Sequence, residues 1–444
     1  MGNNINLAMS DIKIIEGAKD ILPKDHQYFT YFKKVVRHRC RHSGYRRFTT
    51  PLFEDANLFQ KSFALSDEEL AKFFTCSLKE NCKAMLVADR LPAMIRAYFE
   101  HNMRDWAQPV ELYYIEPVFR RMTEGKYEYL QSQCFGLSVI GETDAAIDAQ
   151  VIQLLYQILD DLGVSHLVTL KLNNVGSIDD QKNYAQALQD FYIGKERSLC
   201  ENCNKNLLVK PLKLLSCQEE DCKILAEIAP KFSQFLSQDS VAYLESVKEY
   251  LKEIDVPFTI DEKLFLSELY YSNLVFDFVG TDKVTDSIAT GGRADPLTKI
   301  LGYECDLFAF GAKMNADAVI AMMKKEKIKV PSKDNLHVFV AQLGPEAKIK
   351  CLRLIKDLRD IGVKSVGALG KGSMKEQLRL AQQFKVPYTI LMGLTEVKEG
   401  VAIIRNMEKG TQAIILYDQI LDEVVKLIGE SNLDKYHPGE LVYS

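Results

Sequence analysis

A chain of 444 residues, 47% hydrophobic and 26% charged, reads as an ordinary soluble protein with room for two or three domains, each with its own core. Its formal net charge of −5 excludes a general attraction to nucleic acid, so any such contact must use a local basic patch. Ten cysteines are too sparse for a disulfide scaffold, and no apolar run reaches the ~18 residues that a membrane helix needs.

The opening MGNNINLAMSDIK has no basic region followed by an apolar run, which argues against a signal peptide. It also lacks a Ser or Thr at the sixth position, which argues against myristoylation, and the cytoplasm is the expected compartment. Residues 23–43 predict a helix ended by Gly44. FTTPLFED (48–55) is strand-like up to Pro51, which predicts an edge strand or a bend. PAMIRAYFEHN (92–102) predicts a helix with Pro92 in its first turn. ELYYIEPVFRR (111–121) and CFGLSVIG (134–141) predict strands, with a polar loop at 123–129 between them. Residues 142–163 predict a long amphipathic helix with acidic residues in its first turn, where the helix dipole favours them. LVTLKLNNVG (167–176) returns to strand. Residues 1–176 thus form the first part of a core that mixes antiparallel sheet and helices, an α+β pattern.

Composition changes at 177–255, a helical stretch expected to be an inserted module. Strand character resumes over 256–325 with VPFTI, YYSNLVFDF and YECDLFAFG. A charged, Pro-containing linker follows at 326–335. Beyond it, 336–444 alternates strands (LHVFVAQL, KSVGAL, YTILMG, VAIIRN) with helices, and QAIILYD leads into a last helix at 418–429. That is a small α/β domain.

Within the helical module, Cys200, Cys203, Cys217 and Cys222 make CxxC–x13–CxxxxC, a spacing compatible with tetrahedral thiolate coordination of a structural Zn2+. Four reduced cysteines in a small helical core are the alternative. A redox dithiol lacks the strand–helix context of such motifs. The densest basic run, KKVVRHRCRHSGYRR (33–47), lies on the first helix and just after it. It is equally compatible with a solvated face or a subunit contact.

Several fragments in order carry a resemblance. EGAKDILP (16–23) resembles the opening of histidyl-tRNA synthetases, and GYRRFTTPLFEDANLF (44–59) resembles motif 1 of class II synthetases, with Pro51 as its fixed proline. QPVELYYIEPVFRR (108–121) resembles the run into motif 2. LCENC…LKLLSCQEEDC (199–222) is similar to the insertion of some bacterial members. TGGRADPLTKILG (290–302) resembles the segment before motif 3, and 336–385 looks like the anticodon-binding domain. The resemblance implies a class II synthetase antiparallel-sheet core with a helical insertion, plus a C-terminal α/β anticodon-binding-like domain. It further implies a homodimer, tRNA as partner, and ATP with Mg2+ as substrate.

Residue by residue, the resemblance assigns Arg120 to the retained motif 2 arginine, which grips an α-phosphate through its planar donor fork. Arg121 and Lys313 are the further candidates for the nucleotide. The amino-acid pocket would comprise Asp89, Gln133, Cys134, Ser138, the Tyr270–Tyr271 pair and Arg293. Several family residues are replaced. Leu266 stands where the family keeps an arginine, Lys313 and Met314 where it keeps Glu-Arg, Met122 and Thr123 where it keeps a second Glu-Arg, and Ser138 where it keeps a glutamate. Leucine and methionine donate no hydrogen bonds, and one oriented donor is worth ~3 kcal/mol to a transition state of this kind. The expectation from this pattern is a paralogue, a pseudoenzyme that lacks standard histidylation and binds tRNA, nucleotide or protein. Two alternatives stand beside it: an active divergent histidine–tRNA ligase whose cations have migrated, and a regulatory subunit that pairs with an ATP phosphoribosyltransferase catalytic subunit. Cys134, in the expected pocket, is a candidate nucleophile only if His101 serves as its base. Absent the resemblance, Arg120 reads as a salt-bridged sheet residue, the tyrosines as core, and Gly291–Gly292 as a tight turn.

Overall fold

The computed structural model describes residues 12–79, 82–120, 130–217, 219–266, 268, 270–281, 287–331 and 335–435. Arg121, Met122, Thr123 and the predicted loop at 123–129 lie outside them. The chain forms two compact units that divide between Val330 and Pro331.

In the first unit the helix Pro23–His42 begins with proline at N1, where no amide is needed, and buries Phe29, Phe32, Val36 and Cys40 along one stripe. Gly44 follows at φ +85°, a conformation that favours glycine. The stretch 48–52 is not a strand: it is the bend between β1 (Arg46–Arg47) and β2 (Phe53–Asp55), which belong to different sheets. Pro51 has no amide to donate to a ladder, so pairing resumes only beyond it. β2 joins the hairpin of β3 (Thr75–Lys79) and β4 (Cys82–Leu86) in a three-stranded sheet that the sequence pattern did not predict.

The large sheet adds β5 (Val110–Phe119), β6 (Gln131–Ile140), β7 (Val168–Asn174), β8 (Thr259–Ile260), β9 (Ser272–Gly280), β10 (Ser287–Arg293) and β11 (Ala309–Asn315). Its order is β1-β5-β6-β11-β10-β9-β7-β8, antiparallel except at the two edge pairs β1–β5 and β7–β8. On one face it buries Phe135, Phe276, Phe310 and Met314 with the helices Pro23–His42, Ala145–Asp161 and Ala316–Lys325. Each such fully buried side chain contributes about 1.5–3 kcal/mol. On the other face, the helix Leu91–Glu100 packs Met94, Ile95 and Tyr98 into a second cluster.

Gly291 and Gly292 lie not in a turn but inside β10, between β11 and β9. A Cβ on Gly291 would fall 2.3 Å from the Gly311 carbonyl, and one on Gly292 2.3 Å from that of Leu274. Gly291→Ala is therefore expected to cost roughly 1–3 kcal/mol by overpacking, read from the urea midpoint.

Residues 178–253 are helical, with the helices Ile178–Tyr192, Glu201–Asn206, Glu220–Glu227 and Gln238–Glu253. Tyr184, Leu188, Tyr192, Leu214 and Phe232 give this region a core of its own.

The second unit holds a five-stranded sheet of β12 (Val338–Gln342), β13 (Ser365–Gly367), β14 (Tyr388–Met392), β15 (Val401–Asn406) and β16 (Gln412–Leu416). The order is β13-β12-β14-β15-β16, parallel across the first three and antiparallel after them. QAIILYD therefore contributes an edge strand before the last helix, Ile420–Ile428. Among the described residues, no helix is long and apolar enough to cross a membrane.

Candidate functional site

A cavity of about 420 Å3 opens over the middle strands of the large sheet. Its lining brings together Asp89, Arg120, Gln133, Cys134 and Lys313, all singled out from the sequence. Asp89 sits in the turn before the helix Leu91–Glu100 and is 3% exposed. Its Oδ1 accepts the amide of Leu91 at 2.9 Å, and its Oδ2 accepts from Lys313 Nζ at 2.5 Å. Lys313 rises from β11 and also donates to Glu268 Oε1 at 2.7 Å. Arg120 directly follows β5, and its amide donates to the Leu130 carbonyl at 3.0 Å. At the cavity's other side Lys19 pairs with Asp317 at 2.7 Å, and Asp317 Oδ2 accepts the amide of Gln133 at 2.7 Å.

Asp89 and Glu268 thus share the one ammonium of Lys313, while Lys19 and Asp317 pair on the other side of the cavity. Glu268, Lys19, Asp317 and Tyr114 were not anticipated as site residues. A glutamate inside LFLSELYY was the available signal, because a charge in an apolar run needs a partner.

Cys134 lies 3.8 Å from the Tyr114 hydroxyl, and burial pushes its thiol up. His101 is exposed at the end of its helix, so the pairing that would make Cys134 a nucleophile does not form. Tyr271 lines a small inner space of about 10 Å3 with Asp89, Tyr114 and Lys313. Tyr270 is fully buried, stacked on Phe63 and tilted against Tyr271. The Ser138 hydroxyl is buried without a hydrogen-bond partner among the described residues. Leu266 packs against the second apolar cluster.

Arg293 is not among the cavity's lining residues. Its guanidinium, 1% exposed, donates to Asp148 Oδ1 at 3.1 Å and to the Glu142 carbonyl at 2.7 Å. Asp295 lies 3.3 Å away, and the Tyr243 hydroxyl donates to Asp148 Oδ2 at 2.7 Å. Burial pushes the Asp148 carboxyl up to about 7, against the pull of Arg293. Arg90 is likewise internal, fully buried and bound to the Thr50 and Pro117 carbonyls at 3.0 and 2.9 Å.

In the helical module the four sulfurs of Cys200, Cys203, Cys217 and Cys222 all lie within 4.8 Å of one another. Cys200 Sγ and Cys217 Sγ are 3.8 Å apart. A tetrahedral thiolate site with bonds of ~2.3 Å requires sulfurs about 3.8 Å apart, so this donor set fits a metal ion without rearrangement of the fold.

A six-strand antiparallel centre with this order, carrying its cavity over strands β5, β6, β11 and β10 and followed by a separate α/β unit, is the architecture of a class II aminoacyl-tRNA synthetase. A histidyl-tRNA synthetase family model matches residues 17–319, and an anticodon binding domain model matches 337–427. A histidine–tRNA ligase of Dehalococcoides mccartyi is 33% identical over 414 residues, covering 93% of this chain and 99% of that protein. One from Listeria monocytogenes is 29% identical over 430 residues, covering 95% and 100%. The crystal structure of apo S. aureus histidyl-tRNA synthetase superposes with a TM-score of 0.77 at 26% identity, covering 93% of this chain and 99% of that one. The chain belongs to the histidyl-tRNA synthetase family.

These matches overturn the expectation of a pseudoenzyme without standard histidylation. Relatives that are histidine–tRNA ligases align along nearly the whole chain, and nothing in the cavity marks it as degenerate. Leu266 and Met314 supply no charge, but Arg120 and Lys313 both line the cavity, so it retains positioned cations.

Proposed function

We propose that this protein is an ATP-dependent histidine–tRNA ligase, which joins L-histidine to its tRNA through a histidyl-adenylate. The observation that carries this reading is the cavity itself: Arg120 and Lys313 beside Asp89, on a class II synthetase sheet, in a chain aligned over 93% of its length with a histidine–tRNA ligase. Adenylate formation brings an amino-acid carboxylate against the α-phosphate of ATP, which enters with Mg2+, and pyrophosphate leaves. Both partners are anionic, so fixed cations carry the stabilisation of the charge that develops on phosphorus. Arg120 would grip the α-phosphate with its planar fork, and Lys313 would act as a mobile point charge. On this reading Arg121 also serves the nucleotide, and Gln133, Cys134, Ser138, Tyr270 and Tyr271 serve the amino acid, with Arg293 bracing the frame from behind. Residues 336–444 would contact the anticodon arm, the motif 1 region around Pro51 would form a homodimer, and the cytoplasm is the working compartment.

Amino-acid-dependent ATP–pyrophosphate exchange with each of the twenty amino acids tests the reading. Exchange with histidine alone is expected. No exchange with any amino acid, under conditions in which a control synthetase exchanges, would overturn it. Co-purification with, and activation of, an ATP phosphoribosyltransferase catalytic subunit would then support the regulatory alternative.

The four cysteines are proposed to hold a structural Zn2+ that staples the helical module. One zinc per chain is expected by elemental analysis, and Cys203→Ser should abolish it and lower the thermal midpoint. Unchanged metal content in that variant would refute the assignment.

A further inference from the structure

The helical module reaches the Tyr270–Tyr271 pair by three routes. Gln181, on the helix Ile178–Tyr192, donates its Nε2 to the Tyr271 carbonyl at 2.9 Å. Phe232 meets Phe265 edge to face with ring centroids 5.6 Å apart, and Phe265 packs against both the module's core and the second apolar cluster of the sheet. From Phe265 the chain runs on into the pair. Lys210, which lies between Cys203 and Cys217, donates to the Ala64 carbonyl at 3.0 Å and to Glu69 Oε2 at 3.3 Å. Beside Ala64, Phe63 stacks on Tyr270.

From Leu264 to Tyr271 the described residues join no helix or strand. Backbone groups there have no ladder to satisfy them and take side chains instead. Asn173 Nδ2 donates to the Leu264 carbonyl at 3.0 Å, as Gln181 does to that of Tyr271. A segment held in this way is only as well fixed as the elements that hold it. On the module's side those elements share one core, in which Tyr184, Leu188 and Tyr192 of the Gln181 helix join Phe232, Cys203 and Cys222. So small a core leans on a cross-link, and four thiolates around one metal ion supply it.

We propose that the module is a clamp for the Tyr270–Tyr271 wall of the cavity, that Gln181 is its positioning residue, and that the metal on the four cysteines sets how firmly the wall is held. Loss of the metal loosens the module's core, slackens the Gln181 and Phe232 contacts, and frees the side of the inner space that Tyr271 borders. The three routes end at the tyrosine pair rather than at Arg120, so the effect falls on the amino acid and not on ATP. The clamp rests on the zinc assignment, and on the ligase reading only for the identity of the amino acid.

Hydrogen–deuterium exchange on the full chain, read on peptides carrying Tyr270 and Tyr271, is the test. Deuterium uptake there is expected to rise when a chelator removes Zn2+ and to fall again when Zn2+ alone is restored, while uptake over Val338–Gln342 in the second unit stays unchanged. Gln181→Met, close in size but without the donor, should show the higher uptake even with Zn2+ bound. It should also raise the histidine KM for pyrophosphate exchange about fivefold, the worth of one hydrogen bond, and leave the ATP KM unchanged. Gln181→Lys, which keeps a donor, should return both readouts most of the way. Uptake that ignores Zn2+, or that rises equally in both units, overturns the clamp. So does a chain that takes up no Zn2+, a Gln181→Met protein indistinguishable from the unaltered one, or a Gln181→Lys protein no better than Gln181→Met. Absence of exchange with every amino acid would remove the ligase reading instead, and the deuterium measurement would still decide the clamp. Should Gln181→Met not fold, Lys210→Met, whose contacts reach the pair through Phe63, carries the same comparison.

Discussion

Replacing Arg120 by alanine is expected to lower histidine-dependent pyrophosphate exchange by about a hundredfold or more while leaving the fold intact. The guanidinium stands at the end of β5 on the wall of the cavity, and loss of one oriented donor from a site of this kind costs roughly 3 kcal/mol of transition-state stabilisation. The loss should fall mainly on kcat, because the donor matters most to the charge that develops on phosphorus. Arg120→Lys should recover only part of the rate, since a point charge does not reproduce the planar fork. An Arg120→Ala protein that exchanges within twofold of the unaltered one would remove Arg120 from the phosphate-binding role.

Asp148→Ala is expected to destabilise the first unit by roughly 3 kcal/mol at pH 8, measured by urea unfolding, because it strands the buried Arg293 guanidinium without its closest carboxylate. Arg293 keeps the Glu142 carbonyl and Asp295, which holds the cost at the lower end for a broken buried pair. The Tyr243 hydroxyl also loses its acceptor. Removing both charges together, as Asp148→Leu with Arg293→Met, should recover most of the loss, since two well-packed apolar groups can replace a buried ion pair nearly without cost. A cost below about 1 kcal/mol for Asp148→Ala would mean that water reaches Arg293 and that the network does not brace the sheet.

Much of the scaffold was legible because it depends on local rules. The 3.6-residue stripe of Phe29, Phe32, Val36 and Cys40 announces the first helix, and Pro51 announces the break between β1 and β2. The spacing of Cys200, Cys203, Cys217 and Cys222 suffices to bring four sulfurs together, since all lie within one small helical module. The β3–β4 hairpin escaped because its strands are short and, in β3, exposed throughout, so no alternation marks them. Gly291 and Gly292 read as a turn because glycine usually breaks a strand; here the neighbouring backbones come so close that no Cβ fits.

The direction in which a charged side chain points was decided by register. Side chains on a strand alternate between faces, so one slipped residue moves a group from cavity to core. In β10 the pairing with β9 shifts between Gly292 and Arg293, and Arg293 ends in the Asp148 network rather than over the cavity. In β11 Lys313 pairs opposite Gly136 and Thr290, which sets its ammonium between Asp89 and Glu268, residues 224 and 45 positions away. The sequence by itself determined the family, the helices, most strands and the cysteine cluster, because each of these follows from neighbours along the chain. Only the tertiary structure decided which arginine is scaffold, which lysine serves the cavity and which glutamate holds it, because an ion pair between distant residues exists only once the sheet has fixed its register.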